Sequence, residues 1–247
     1  MTTILKGCIV SAPVLGRLEA TEHGYLIAED GHITGVYPVL PEQYAGAPVE
    51  DYGDDLIVQS FADLHLHAPQ YPMLGTGMDL PLLDWLNTYT FPQEARYEDT
   101  EFAKEAYSIF TEDMKKSPNT RACIFGTLHV PATEILMEQL DKTGIKAMVG
   151  KVNMDRNGSP QLQEESAQAS ADATVQWIKD TLDKFENVKP ILTPRFTPSC
   201  SDALMEKLSE IQKKYHLPMQ SHLSENFGEI AWVKELCPNT HFYGEAY

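Results

Sequence analysis

Apolar and polar residues follow two different rhythms along the chain, and the change comes near residue 57. Before it, short apolar runs such as residues 25–27 and 33–36 are broken by glycine, proline and the pair Asp30-Gly31. An Asp-Gly pair between two β-prone runs is typical of a hairpin. Residues 1–56 are therefore predicted to form a small domain made only of β-strands.

After residue 57, strand-like apolar segments alternate with helical patterns. In the helical stretches apolar residues recur every three or four positions, as in Val175, Ile178 and Leu182, which indicates one buried helix face. Repeated strand–helix alternation predicts a parallel sheet, so residues 57–247 should form an α/β domain, either a (β/α) barrel or a doubly wound sheet. A Gly-rich phosphate fingerprint, which would favour a nucleotide-binding sheet, is absent. The predicted strands are residues 56–65, 121–129, 145–152, 189–195 and 218–223.

Composition and charge narrow the function classes. The 247 residues are 43% hydrophobic, enough for a substantial core, and contain no apolar run of membrane-spanning length. The lack of such a run predicts that no membrane is a partner, and a net charge of -17 would repel a phosphate backbone, so no nucleic acid is expected either. Four scattered cysteines and an amino terminus without signal-peptide features predict a reduced, cytoplasmic protein.

The candidate chemistry starts at His65 and His67. These residues end an apolar segment that reads as a strand, and side chains two positions apart on a strand point to the same face. Paired imidazoles suit a borderline metal such as zinc. The same spacing also fits an ordinary polar strand face, so further residues must decide between the two interpretations.

Other polar side chains fall at the ends of later predicted strands. In a barrel, catalytic side chains lie at the carboxyl ends of the strands, where His129, Arg195 and His222 are placed. Histidines at three separate strand ends favour a metal site in which His222 joins His65 and His67. For His129, a hydrogen-bonded structural role is expected instead of metal ligation.

Glu225 follows His222 by three residues, at the start of a predicted helix over residues 226–236. An acidic residue there favours the helix dipole, which is its structural interpretation. Its functional interpretation is a proton shuttle, because zinc lowers the pKa of bound water and a nearby carboxylate can move the released proton.

Several motifs in the same order resemble the guanine deaminases, a family within the amidohydrolase superfamily. They include H-A-P-Q-Y-P at residues 67–72, T-P-R-F at 193–196 and Q-S-H-L-S-E-N at 220–226. The resemblance implies a (β/α)8 TIM-barrel-type fold with a small amino-terminal β-sandwich domain. It also implies zinc-dependent hydrolysis of guanine to xanthine and ammonia, one Zn2+ per site, and a homodimer in the intact parent.

The resemblance implies a role for each matching residue. His65, His67 and His222 would be metal ligands, His222 also lying beside the base, and Glu225 would be the proton shuttle. Gln70, Arg195 and Phe196 would hold the purine, which suits an amide, a planar cation and an aromatic ring. Structural alternatives remain open from the residues alone, namely a loop glutamine, a surface arginine and a core phenylalanine.

The sequence departs from the family pattern in two places. Gln59-Ser60 stands where Pro-Gly usually precedes the first histidine motif. The pattern also continues beyond Tyr247 with three more strands, which carry another histidine and an aspartate of the site. We therefore expect an incomplete barrel of about five βα units, with weak metal affinity and little activity.

Three functional hypotheses follow from the sequence. The first is guanine deamination. The second is another zinc-dependent amidohydrolase that acts on a different aminated or chlorinated ring. The third is a non-catalytic remnant that only associates with other chains.

Overall fold

The computed structural model describes residues 1–247 as two compact units, Met1–Ser60 and Phe61–Tyr247. The division lies a few residues beyond the predicted boundary at 56/57, because residues 56–58 complete a strand of the first unit. The predicted strand over residues 56–65 is therefore two strands, and the break between them falls at Gln59 and Ser60.

The first unit is one four-stranded sheet with the order β3-β2-β1-β4. β1 pairs antiparallel with β2 and parallel with β4, while β2 and β3 form an antiparallel hairpin. Asp30 and Gly31 turn this hairpin with φ of 48° and 80°, the positive values that a tight two-residue turn requires. The strands are β1 (Thr2–Val14), β2 (Arg17–Glu29), β3 (His32–Tyr37) and β4 (Glu50–Val58).

The second unit contains a four-stranded parallel sheet with the order β5-β6-β7-β9 and a separate short parallel pair, β8-β10. A single bridge between Leu192 and Met219 adds residues 218–220 beside this sheet. A full strand over residues 218–223 was predicted, and that prediction is wrong. The strands are β5 (Phe61–His67), β6 (Asn119–Phe125), β7 (Lys146–Gly150), β8 (Val152–Asn153), β9 (Val188–Pro190) and β10 (Thr193–Pro194).

Helices alternate with these strands as the periodicity predicts. Side chains cap four of the helices at their amino termini, at Asp99, Ser166, Ser201 and Asn226. None of the helices is both long and apolar enough to cross a membrane. The helices are α1 (Leu82–Trp85), α2 (Phe91–Ala95), α3 (Thr100–Lys116), α4 (Val130–Asp141), α5 (Ala167–Thr181), α6 (Asp202–Tyr215) and α7 (Phe227–Leu236), with a π-helical turn over Leu86–Thr90.

The core of the second unit is formed by the apolar helix faces and the parallel sheet. Tyr107, Leu136, Trp177 and Leu208, one from each of α3 to α6, are all completely buried in it. A smaller apolar cluster includes Leu86, Phe91, Phe125, Val152, Met154, Leu162 and Phe196. Because Phe125 ends β6 and Val152 follows the last residue of β7, this second cluster lies at the carboxyl ends of those strands.

Gly150, the last residue of β7, permits a close approach between neighbouring segments. A Cβ atom at this position would lie 1.7 Å from Oγ1 of Thr193 and 2.9 Å from the carbonyl oxygen of Ile191. A larger residue would therefore force the chain before β10 away from β7. This close contact fixes where Arg195, which directly follows β10, leaves the sheet.

The second barrel strand is predicted from the sequence to end at His129, and that prediction is wrong. β6 ends at Phe125, and His129 is the residue that precedes α4 and not a strand residue. Pro131 lies in the first turn of α4, where its fixed φ favours a helix start directly after His129.

Cys200 generates a prediction about stability. It is 1% exposed, and burial raises the pKa of its thiol from the ordinary 9.0 to about 12. The folded state therefore keeps a proton that the unfolded state releases between these pH values. The contribution of the protonated Cys200 thiol to the free energy of unfolding is therefore complete below about pH 9. Above that pH it falls by about 1.4 kcal/mol per pH unit.

We therefore expect the difference in free energy of unfolding between the native chain and Cys200→Ala to shrink as the pH rises from 8 to 11. Urea denaturation of both chains measures it, and contributions from buried tyrosines cancel in the difference. A difference that stays constant over this range would contradict the prediction.

Candidate active site

Three histidine side chains converge at the carboxyl end of β5. His65 and His67 lie on one face of β5, and His222 lies just after the bridge at Met219. Nε2 of His67 lies 2.9 Å from Nε2 of His222, although 155 residues separate them in the chain. One candidate ligand atom from each of the three side chains falls within 4.8 Å of the others.

The hydrogen bonds of these rings fit a metal site. Nδ1 of His222 donates to the carbonyl oxygen of Arg195 at 2.6 Å, which leaves the lone pair of its Nε2 facing His67. Nδ1 of His67 is buried without any hydrogen-bond partner. Imidazole nitrogens this close need a proton or a cation between them, and the nitrogen donor set suits zinc.

Burial keeps the imidazoles of His67 and His222 uncharged. It holds the pKa of His67 well below its usual value, and the charges of His222 and Arg195 act in the same direction. Burial likewise lowers the pKa of His222 to about 4, although its bond to the carbonyl of Arg195 opposes the shift. A metal ion binds the neutral form of histidine, so both rings are in the required state at neutral pH.

All the residues predicted to form the site line one cavity of about 190 Å³. Leu82, Trp85 and Leu86, which belong to α1 and the following π-helical turn, complete its wall. The polar residues lining the cavity are His65, His67, Gln70, Arg195, His222 and Glu225, and Phe196 also lines it.

Arg195 reaches this cavity as a buried cation that is paired with Glu94. Its Nη2 lies 3.2 Å from Oε1 of Glu94 and its Nη1 donates to Oε2, so the pair is bidentate. Gln70 donates from Nε2 to the same Oε1 at 2.9 Å. The structure therefore excludes a surface position for Arg195, and it places Gln70 in a defined hydrogen bond.

Sequence reasoning missed Glu94. The sequence shows only an acid shortly after Phe91, and the burial that makes a charged partner necessary, with the side chain 3% exposed, is visible only in the structure.

Phe196 is 5% exposed and belongs to the apolar cluster at the strand ends as well as to the cavity wall. Its ring centroid lies 6.4 Å from that of Trp232. The side chain therefore has the packing role expected of a core residue and also presents ring surface to the cavity.

A hydrogen bond to Glu229 fixes the position of the Glu225 backbone. Its N–H donates to Oε2 of Glu229 at 2.8 Å, and Oε1 of the buried Glu229 accepts from the Tyr243 hydroxyl at 2.5 Å. Glu225 itself precedes α7, whose capping residue is Asn226. Partial desolvation, followed by the charge of Glu229, raises the pKa of the Glu225 carboxyl. Sequence reasoning missed Glu229, although Asn226-x-x-Glu229 is a capping-box pattern.

A second set of contacts supports the strand ends from behind the cavity. The Lys151 ammonium is completely buried and pairs with Glu164, and Asn153 donates at 2.8 Å to the hydroxyls of both Ser170 and Thr174. Asp155 accepts from the backbone N–H of Ser201 at 2.7 Å. These contacts attach the segment after β7 to α5 and to the start of α6.

His129 lies outside the histidine group and does not line the cavity. Its ring Nε2 is buried without a hydrogen-bond partner, contrary to the expected hydrogen-bonded role. Burial lowers the pKa of this imidazole.

The fold and the histidine site define a class of hydrolase, and comparison with known proteins identifies it. Residues 56–245 match the model of the amidohydrolase family, so the chain belongs to that family. Its α/β fold is the amidohydrolase fold, and members of this family are typically metal-dependent. The resemblance inferred from the motifs is thereby confirmed at the level of the family.

The particular relatives are guanine deaminases. The chain is 37% identical to guanine deaminase of Dictyostelium discoideum, with 99% of this chain and 58% of the relative aligned. It is 44% identical to a probable guanine deaminase of Schizosaccharomyces pombe, covering 99% of this chain and 49% of the relative. The chain thus spans about half the length of the curated relatives it matches.

A solved structure agrees with this relationship. The crystal structure of guanine deaminase from C. acetobutylicum, with guanine bound in its active site, superposes with a TM-score of 0.95 at 44% identity. The superposition covers all of this chain and 59% of that protein.

The convergence of the histidines predicts zinc binding by these side chains. We expect the native chain to bind one zinc ion, and His67→Ala or His222→Ala to weaken binding at least about tenfold, because each removes a nitrogen ligand. Isothermal titration with zinc chloride measures this. His129→Ala is the matched control and should bind like the native chain. Equal weakening by the control would contradict the assignment of the site.

Proposed function

We propose that this chain carries the active site for hydrolytic deamination of guanine, which yields xanthine and ammonia. The observation that carries the proposal is that seven residues drawn from separate motifs line one cavity. The guanine deaminase relatives, one of them with guanine bound, support the substrate. The substrate is therefore a small neutral molecule, in keeping with the acidic surface.

Gln70, Arg195 and Phe196 bind and orient the purine in this proposal. Guanine offers a carbonyl oxygen, ring nitrogens and an exocyclic amine. Arg195 supplies fixed N–H donors, Gln70 supplies an amide, and the Phe196 ring supplies a surface on which the base can stack. Because these polar groups are partly or fully buried, a ligand that leaves them unpaired is rejected.

His65, His67 and His222 would hold a zinc ion beside the bound base. Zinc in such a site lowers the pKa of a bound water towards 7. The chain's own contribution is to keep the imidazoles of His67 and His222 neutral by burial and to orient His222 through the carbonyl of Arg195. The same strand end therefore positions a metal ligand and a purine-binding side chain.

Glu225 is the proton shuttle in this proposal. Overall, a C–O bond forms at the ring carbon that bears the amine, the C–N bond breaks, and two protons move from water to the leaving nitrogen and the ring. Its raised pKa brings this carboxyl closer to the working pH than an ordinary glutamate, which suits a group that must both accept and return a proton. Its backbone bond to Glu229 holds it beside the cavity.

At the level of the fold, we propose that the parallel strands form part of a (β/α)8 barrel. Two observations support this proposal: strands and helices alternate along the chain, and the candidate site lies at the carboxyl ends of the strands.

Ammonia release from guanine, adenine, cytosine and an aminated triazine, measured with added zinc, tests the proposed reaction. We expect slow release from guanine, in line with the little activity expected from the sequence, and a fall of about 100-fold or more in kcat for Glu225→Gln, because the amide cannot carry a proton. Glu235→Gln, which changes an exposed acid on α7, is the matched control and should keep the native rate. Turnover of adenine but not guanine would rule out the proposed substrate.

A further inference from the structure

Glu94 stands between two residues that line the cavity, although it does not line the cavity itself. Its side chain is 3% exposed, and its carboxylate accepts from both Nη atoms of Arg195 and from Nε2 of Gln70. One oxygen, Oε1, is shared between the two partners. Glu94 therefore ties together two side chains that lie far apart in the sequence.

The carboxylate determines which end of the Gln70 amide faces the ligand. A carboxylate paired with arginine only accepts hydrogen bonds, so the donor Nε2 must face Glu94, as observed at 2.9 Å. Rotating the amide by half a turn would place its oxygen against a carboxylate oxygen. The orientation of Gln70 is therefore fixed by chemistry, and its Oε1 is left as an acceptor for a ligand.

The carboxylate also fixes the plane of the Arg195 guanidinium. A bidentate pair uses two of the five N–H donors of arginine and sets its orientation. The guanidinium carbon lies 5.0 Å from the centroid of the Phe91 ring, which covers one face of the cation. The remaining N–H groups are pure donors, because arginine keeps its charge at any ordinary pH.

We propose that Glu94 is a positioning residue that sets the polarity of the hydrogen-bonding pattern in the cavity: a donor from Arg195 beside an acceptor from Gln70. This pattern complements a ring edge with a carbonyl next to a ring N–H. It opposes an edge with an amine next to an unprotonated ring nitrogen. The inference rests on the proposed function in one respect, namely that the ligand is a purine.

Hypoxanthine and adenine form a matched pair of ligands for the test, since they differ only at this edge and neither carries the 2-amino group of guanine. We expect the native chain to bind hypoxanthine at least about tenfold more tightly than adenine in isothermal titration. In Glu94→Gln the new amide can donate as well as accept, so Gln70 is free to rotate. The ratio of the two dissociation constants should then fall towards one.

Glu164→Gln is the matched control, because it neutralises the carboxylate that pairs with the other buried cation, Lys151, and neither residue lines the cavity. It should lower the melting temperature and leave the ratio of dissociation constants unchanged. A purely structural role for Glu94 would give the same result in Glu94→Gln, and that result would overturn the inference.

A second variant covers the case in which Glu94→Gln does not fold. Gln70→Leu keeps the pair of Glu94 and Arg195 and removes only the oriented acceptor, so the ratio should again collapse. If Gln70→Leu keeps the native ratio, or if the native chain binds both ligands equally, the inference is wrong.

These outcomes are separate from a failure of the proposed reaction. A chain that releases ammonia from guanine but shows no preference for hypoxanthine overturns the role of Glu94 alone. A chain that prefers hypoxanthine but does not act on guanine supports the role of Glu94 and overturns the proposed reaction.

Discussion

Parallel pairing of the strands is the constraint on which the site depends. Because β5, β6, β7 and β9 run in the same direction, their carboxyl ends meet at one edge of the sheet. Residues that follow different strands therefore come together without any local sequence contact. His67 and His222 meet in this way across 155 residues, and Arg195 meets Glu94 across 101.

Burial of charge is the main energetic cost at this edge. Arg195 with Glu94 and Lys151 with Glu164 are pairs in which the cation is almost or completely inaccessible to water. Breaking one such pair typically costs about 3–5 kcal/mol, because the remaining charge stays buried and unpaired. The strand ends are thus held by interactions that tolerate little displacement, which favours fixed positions for the side chains around the cavity.

The sequence carried enough information for the parts of the site that depend on local periodicity. The two-residue spacing of His65 and His67 placed both rings on one strand face, and a strand-end position for His222 brought it to the same edge. The predicted hairpin at Asp30-Gly31 likewise depended only on local turn chemistry. Glu225 followed from its position three residues after His222, and motif resemblance added Gln70 and Phe196, which periodicity alone would not have selected.

The remainder could not be predicted, because it depends on contacts between distant segments. Glu94 looks like an ordinary helical acid until its partners Arg195 and Gln70 are known, and Glu229 looks like a simple capping residue until it meets Tyr243. The boundaries of two predicted strands were also wrong. The predicted strand over residues 56–65 is two strands in two units, and β6 ends at Phe125, before His129.

The shared carboxylate oxygen of Glu94 has a consequence for how such a protein can change over evolutionary time. A substitution of Glu94 or Arg195 alone leaves the other charge buried without a partner. The two positions can therefore change only together, or through a variant that is less stable. Gln70 carries no charge and is the least constrained member of the trio. We therefore expect new ligand preferences in related proteins to arise first by substitution at position 70, while the ion pair of Glu94 and Arg195 is kept.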